Sequence, residues 1–167
     1  MTSNTTDAGR RKITIERSYR APLADVWDLW TTREGIESWW GPEGFAVTVQ
    51  TLDLRLGGQL LYTMTAVAPA QVEFMKRAGM PLATPGRITY TEIEPQRRLA
   101  YTHAVDFVPG VEAYDVATLV ELQASGDSVR LLLTVDAMHD EMWTERMAKG
   151  WESELGKLER ALAGLHK

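Results

Sequence analysis

Ile13, Ile15, Arg17 and Tyr19 alternate with Thr14, Glu16 and Ser18, the period-two pattern of a half-buried strand. Pro22 suits the first turn of a helix, and Leu23, Val26, Trp27 and Trp30 follow at helical spacing as one apolar stripe. Ile36, Trp39 and Trp40 mark a second short helix, which Gly41-Pro42 ends. Strand patterns then dominate. Phe45, Val47 and Val49 share one face, and after the Gly57-Gly58 turn so do Leu60, Tyr62 and Met64. Ile88 and Tyr90 begin a further strand that closes at Glu94-Pro95-Gln96. Leu99, Tyr101, His103 and Val105 form one face of its neighbour. Tyr114, Val116, Thr118, Val120 and Leu122 form the next. A turn at Ala124-Ser125-Gly126-Asp127 leads into Val129, Leu131, Leu133 and Val135. Short turns between consecutive strands predict an antiparallel meander.

Two segments break this rhythm. Ala70 to Gly79, between Pro69 and Pro81, has room for two to three helical turns with Val72, Met75 and Phe74 on an apolar side. An insertion of this length is a cover for a binding site or a plain surface excursion. From Asp140 to Leu165, Trp143, Met147, Trp151, Leu155, Leu158 and Leu162 recur at helical intervals. They form one stripe on a helix about 37 Å long. Asp140 and Glu141 suit its N-terminus, and Gly150 in its middle suggests a close packing contact. A single antiparallel sheet must cover its apolar face, and only this last helix is long enough to do so. The predicted class is α+β: a curved sheet wrapped around a long C-terminal helix, with two short helices after the first strand. Because a twisted sheet cannot close uniformly on one helix, a cavity is expected between them.

Composition narrows the reading. The 167 residues fit a single domain over 12–167, preceded by a polar tail over 1–11 that is expected to be disordered. There is no cysteine, which excludes disulfides, thiolate catalysis and sulfur-ligated metals. The net charge of -5 comes without any basic stripe, so nucleic acid is not an expected partner. No apolar run is long enough to cross a membrane, and the N-terminus carries no signal-peptide core; a cytoplasmic location is expected. The three histidines, His103, His139 and His166, lack metal-ligand spacing, and no cofactor motif is present. An exposed edge strand leaves a homodimer open.

The order and spacing of several motifs are similar to the START-like (SRPBCC) superfamily, and within it to the activator-of-heat-shock-protein-ATPase homologue family. The residues that carry the likeness are Pro22 with Val26-Trp27, Trp39-Trp40-Gly41-Pro42, and Asp53, Arg55 and Gly57-Gly58. Tyr90, Glu92-Ile93, Pro95, Leu99, Tyr101-Thr102 and Gly150-Trp151 with Leu155 and Leu158 complete it. The resemblance implies a helix-grip fold with a pocket between sheet and C-terminal helix, but no single activity. Such relatives include lipid carriers, polyketide cyclases and chaperone activators.

Candidate pocket residues are Trp39, Trp40, Phe45, Tyr62 and Tyr101 on one side, and Trp143, Met147 and Trp151 on the helix, with His103 beside Tyr101. Trp39 and Trp40 are adjacent, so only one can face the cavity. His103 has two readings: a hydrogen-bonded core residue, or a general acid or base acting with Tyr101 and Arg87. Asp106, Glu112, Tyr114 and Asp115, with Arg87 near them, are candidates for a polar rim that places a carboxylate at the pocket, and Asp53 with Arg55 for a structural ion pair. Three functions follow. The favoured one is binding of a small hydrophobic or aromatic molecule; the others are a cyclase- or dehydratase-type enzyme and a chaperone-associated interaction domain.

Overall fold

A computed structural model describes residues 11–106 and 108–165. The chain begins with β1 (Lys12–Tyr19), followed by helices α1 (Leu23–Thr31) and α2 (Arg33–Trp39). Then come β2 (Phe45–Leu52), β3 (Gln59–Ala66), the inserted helix α3 (Pro69–Arg77) and β4 (Ala83–Glu94). The chain closes with β5 (Arg98–Val105), β6 (Tyr114–Ser125), β7 (Ser128–Asp136) and α4 (Glu141–Gly164). The strands form one seven-stranded antiparallel sheet in the order β1-β7-β6-β5-β4-β3-β2. Strands β2 to β7 are a meander, and β1 returns to pair along its whole length with β7. The predicted tail lies outside the described residues except for Arg11. Its carbonyl accepts a bond from the Ala137 amide, and its guanidinium pairs with Glu141.

Alternation along each strand builds the inner face. On β7, Val129, Leu131, Leu133 and Val135 are each at most 1% exposed. On β6, Val116, Thr118, Val120 and Leu122 are buried, while Ala117 on the other face is exposed. Helix α4 starts where its cap demands: Asp140 Oδ1 accepts from the Trp143 amide at 2.8 Å, and Glu141 lies in the first turn. Its C-terminal half seals the core through Leu155, Leu158 and Leu162. The α4 backbone approaches α2 and α1 more closely than any strand, so side chains span the space above the sheet.

Three details depart from the sequence reading. Strand β4 starts at Ala83 rather than near Ile88. Pairing with β3 (Thr65↔Ala83 to Gln59↔Thr89) imposes extension on Ala83-Thr84-Pro85-Gly86, where only Thr84 is a strand former. Beyond the pair Ile88↔His103, β4 and β5 no longer pair, so the sheet opens there. In α3, Met75 faces inward but Phe74 points outward at 55% exposure. Finally, Gly150 marks no close approach. A Cβ there would meet only Pro42 Cγ, at 3.9 Å. Because helical glycine costs backbone entropy, Gly150→Ala is expected to stabilise the fold by about 0.5–1 kcal/mol, read as a rise in the urea midpoint at unchanged slope.

Candidate functional site

The sheet supplies an aromatic wall. Tyr62 on β3, Tyr101 on β5 and Tyr90 on β4 all point inward, at 8%, 2% and 2% exposure. Tyr62 lies directly across from Gly86, and its ring folds over that residue. A Cβ on Gly86 would stand 2.2 Å from Tyr62 Cζ. With no side chain in the way, Tyr62 reaches across β4 and places its hydroxyl 3.0 Å from His103 Nε2 on β5. Burial drops the His103 pKa to about 4, against a weaker upward pull from Asp106 and Asp115. His103 is therefore neutral at pH 7, and Tyr62 is also held in its neutral form by burial.

Trp39 and Trp40 point to different places, as their adjacency requires. Trp39, fully buried, donates Nε1 to the Leu29 carbonyl at 2.7 Å and packs edge-on to Trp30, which locks α2 onto α1. Trp40, in extended backbone just after α2, turns to the sheet. Its ring lies 5.4 Å from Tyr62 and 6.3 Å from Tyr101, centroid to centroid. Phe45 opens β2 at the end of the same loop.

From the helix side, Trp151 stacks on Trp30 at 5.9 Å, and Met147 packs beside Val105, Val116 and Val135. Both are only partly buried. Trp143 is placed apart from the Trp40–Tyr62–Tyr101 group. Its ring packs against His139, with Arg146 5.1 Å over its face, while His139 Nδ1 and Tyr114 Oη are 2.7 Å apart. Met142 is exposed, and Asp53 and Arg55 form a surface ion pair at 2.9 Å. His166 lies outside the described residues.

Sequence reasoning missed the polar half of the site. The Trp40–Phe45 loop is strapped to α4 by the side chains of Ser153, Glu154, Lys157 and Arg160. Ser153 accepts from the Glu43 amide at 2.9 Å, the Glu154 carboxyl lies beside the Gly41 amide, and Arg160 pairs with Glu43. Lys157 Nζ donates to the carbonyls of Gly41 at 2.9 Å, Phe45 at 3.3 Å and Trp40 at 3.4 Å. Glu154 sits near Tyr62 and Tyr101, and its charge opposes ionisation of both. Burial raises its carboxyl to about 7, a shift that the Gly41 amide and Lys157 hold back. A signal existed: Glu154 is three residues after Trp151 and four before Leu158, a carboxylate on the apolar stripe.

These two shifts predict a pH signature. Glu154 has a folded pKa above its ordinary 4.5, so its contribution is complete below pH 4.5 and is lost as pH rises through about 7. His103 is depressed from 6.5 to about 4, so its contribution is complete above pH 6.5 and is lost as pH falls through about 4. Between them the slopes cancel. Glu154→Gln is expected to unmask the histidine, making stability fall by about 1 kcal/mol per pH unit as the pH drops below 6.5. Urea melts of both proteins at several pH values check this; parallel curves would count against it.

Elsewhere, an open depression of about 450 Å³ lies around Gln96, Arg98, Glu121 and Arg130. Arg98 there is already bound to Glu92, Glu94 and Glu121. Among the described residues no group of His, Asp and Glu could hold a metal, and no helix is long and apolar enough to cross a membrane.

The family described as "Activator of Hsp90 ATPase homolog 1-like protein" matches residues 20–163. The chain belongs to this family. Its seven-stranded sheet and long C-terminal helix are the START-like (SRPBCC) fold, as the sequence motifs implied. Solved structures share it. A Chromobacterium violaceum protein superposes with a TM-score of 0.75 at 24% identity, over 90% of this chain and 96% of its own. The AHSA1 protein from Silicibacter pomeroyi gives 0.72 at 19% identity, over 93% of this chain and all 100% of its own. CalU16 from Micromonospora echinospora gives 0.64 at 22%, over 93% and 78%. At these identities the likeness speaks for the fold alone. No curated protein matches the chain significantly.

Proposed function

We propose that this family member binds a small, largely apolar aromatic molecule between the sheet and the N-terminal half of α4. The observation that carries the reading is the uneven burial of one helical stripe. Leu155 and Leu158 are at most 1% exposed, whereas Trp151 and Met147, one and two turns earlier, stay only partly buried. Below Trp151 stands the aromatic wall of Trp40, Tyr62 and Tyr101, and beside it the sheet parts at His103. Apolar linings with a few placed polar groups are the usual composition of ligand pockets. Met147 and Trp151 would close over a guest, and the gap beyond Ile88 and His103 gives it a way in.

Native mass spectrometry against a panel of apolar aromatic compounds tests this. Saturable one-to-one binding that raises Tm and is lost in Trp151→Ala is the expected result; a panel with no binder would sink the reading. A second reading has one observation in its favour. The neutral His103–Tyr62 pair and the Glu154 carboxyl, which burial keeps partly protonated near pH 7, resemble groups available for proton transfer. Recovery of chemically unchanged ligand supports binding, whereas conversion that stops in Glu154→Gln supports the cyclase-type alternative.

A further inference from the structure

Two hydrogen-bonding atoms in this wall are buried and unpartnered: Trp40 Nε1 and Tyr101 Oη. Their residues are 7% and 2% exposed, and their rings face each other at 6.3 Å. The Thr118 hydroxyl lies near Tyr101, but no hydrogen bond of ordinary geometry forms. Burying such groups without a partner is costly, and native interiors rarely do it without a water, an ion or a ligand. The indole nitrogen is a donor only, so whatever satisfies it presents an acceptor. A third unpartnered atom, Trp30 Nε1, is deep in the tryptophan core beneath Trp151 and belongs to packing.

The charge around these atoms is equally selective. Of the cations on the strap, Lys157 is spent on three backbone carbonyls and Arg160 on Glu43. His103 has its Nε2 against the Tyr62 hydroxyl, and Glu154 faces Tyr62 and Tyr101 from the helix. An anionic guest would meet the Glu154 carboxyl, while the Lys157 ammonium is turned to the carbonyls of the strap.

Resting on the binding reading above, we propose that the pocket selects neutral aromatic molecules that carry a carbonyl, whose oxygen accepts from Trp40 Nε1 and Tyr101 Oη. A hydrocarbon of the same outline fits but leaves both donors unsatisfied, and a carboxylate is repelled by Glu154.

Three probes of nearly equal shape separate these outcomes: 2-acetylnaphthalene, 2-ethylnaphthalene and 2-naphthoate, titrated calorimetrically into the full chain at pH 8. The ketone is expected to bind about tenfold tighter than the ethyl compound, with the naphthoate weaker than the ketone. Trp40→Phe and Tyr101→Phe keep a ring and remove a donor. Each is expected to shrink the ratio of ketone to ethyl affinity about fivefold, whatever contact both compounds lose in common. Cooperative thermal unfolding and native-like circular dichroism in both variants, with a lower Tm expected for Trp40→Phe because it leaves a cavity, show that the fold is intact. Equal affinity for ketone and hydrocarbon overturns this proposal and leaves the binding reading standing, as does a variant that weakens both alike. Tightest binding of the naphthoate overturns the requirement for neutrality. Failure of all three to bind removes the proposal together with the binding reading.

Discussion

Replacing Leu158 by Ala is expected to cost about 2–5 kcal/mol, the range for deleting most of a buried leucine in a core that relaxes only partly. For a chain of this size that is a fall in Tm of roughly 5–15 °C. Leu158 is 0% exposed and belongs to the same cluster as Trp30, Ile36, Trp39 and Leu131. It anchors the sealed half of α4, and through the rigid helix it sets where Trp151 and Glu154 stand over the sheet. Ligand affinity should therefore drop along with stability, although Leu158 is not placed in the pocket. Lys149→Ala on the exposed side of the same helix is the control, expected to stay within about 0.5 kcal/mol. A loss below about 1 kcal/mol for Leu158→Ala would mean that the helix is not held as described.

The second large effect is expected at Gly86, where one added methyl group should cost about 2–3 kcal/mol. Its φ is ordinary; the demand comes from the Tyr62 ring, whose Cζ, Oη and Cε1 would lie 2.2, 2.5 and 2.6 Å from a new Cβ. Tyr62 cannot swing away cheaply, because Trp40 packs against its ring and its hydroxyl is bound to His103. Displacing it leaves two buried polar atoms without partners and admits water, so the His103 pKa should climb from about 4 towards 6.5, visible by proton NMR. In a Tyr62→Ala background the same Gly86→Ala change has nothing to strike. The cycle should show a coupling above about 1 kcal/mol, and additive effects would refute the account.

The architecture was legible because it rests on local periodicity. Alternation along β6 and β7, the Gly126-Asp127 turn that sets Ser125 opposite Ser128, and the six-residue stripe of α4 each need only near neighbours to be read. The motif set around Trp39-Trp40-Gly41-Pro42 and Gly150-Trp151 pointed to the family that spans residues 20–163. The site was legible only in outline. Trp40, Tyr62, Tyr101 and His103 fall together because strand faces are predictable, but nothing local told Trp40 from Trp39. The turn of backbone after α2 decides that.

What tertiary structure alone decided is the polar half. Glu154 stands out in the sequence only as a carboxylate on the apolar stripe, and neither it nor Lys157 has a visible partner until the Trp40–Phe45 loop is laid against them. Gly86 reads as a strand-weakening residue until Tyr62 is seen lying over it. Gly150, which looked like a packing contact, turns out to face open space and Pro42. Periodicity reports which side of an element is buried, since burial follows from one-dimensional spacing. It is blind to which atom of a distant segment fills that side, and hydrogen-bond partners, pKa shifts and close approaches all depend on that atom.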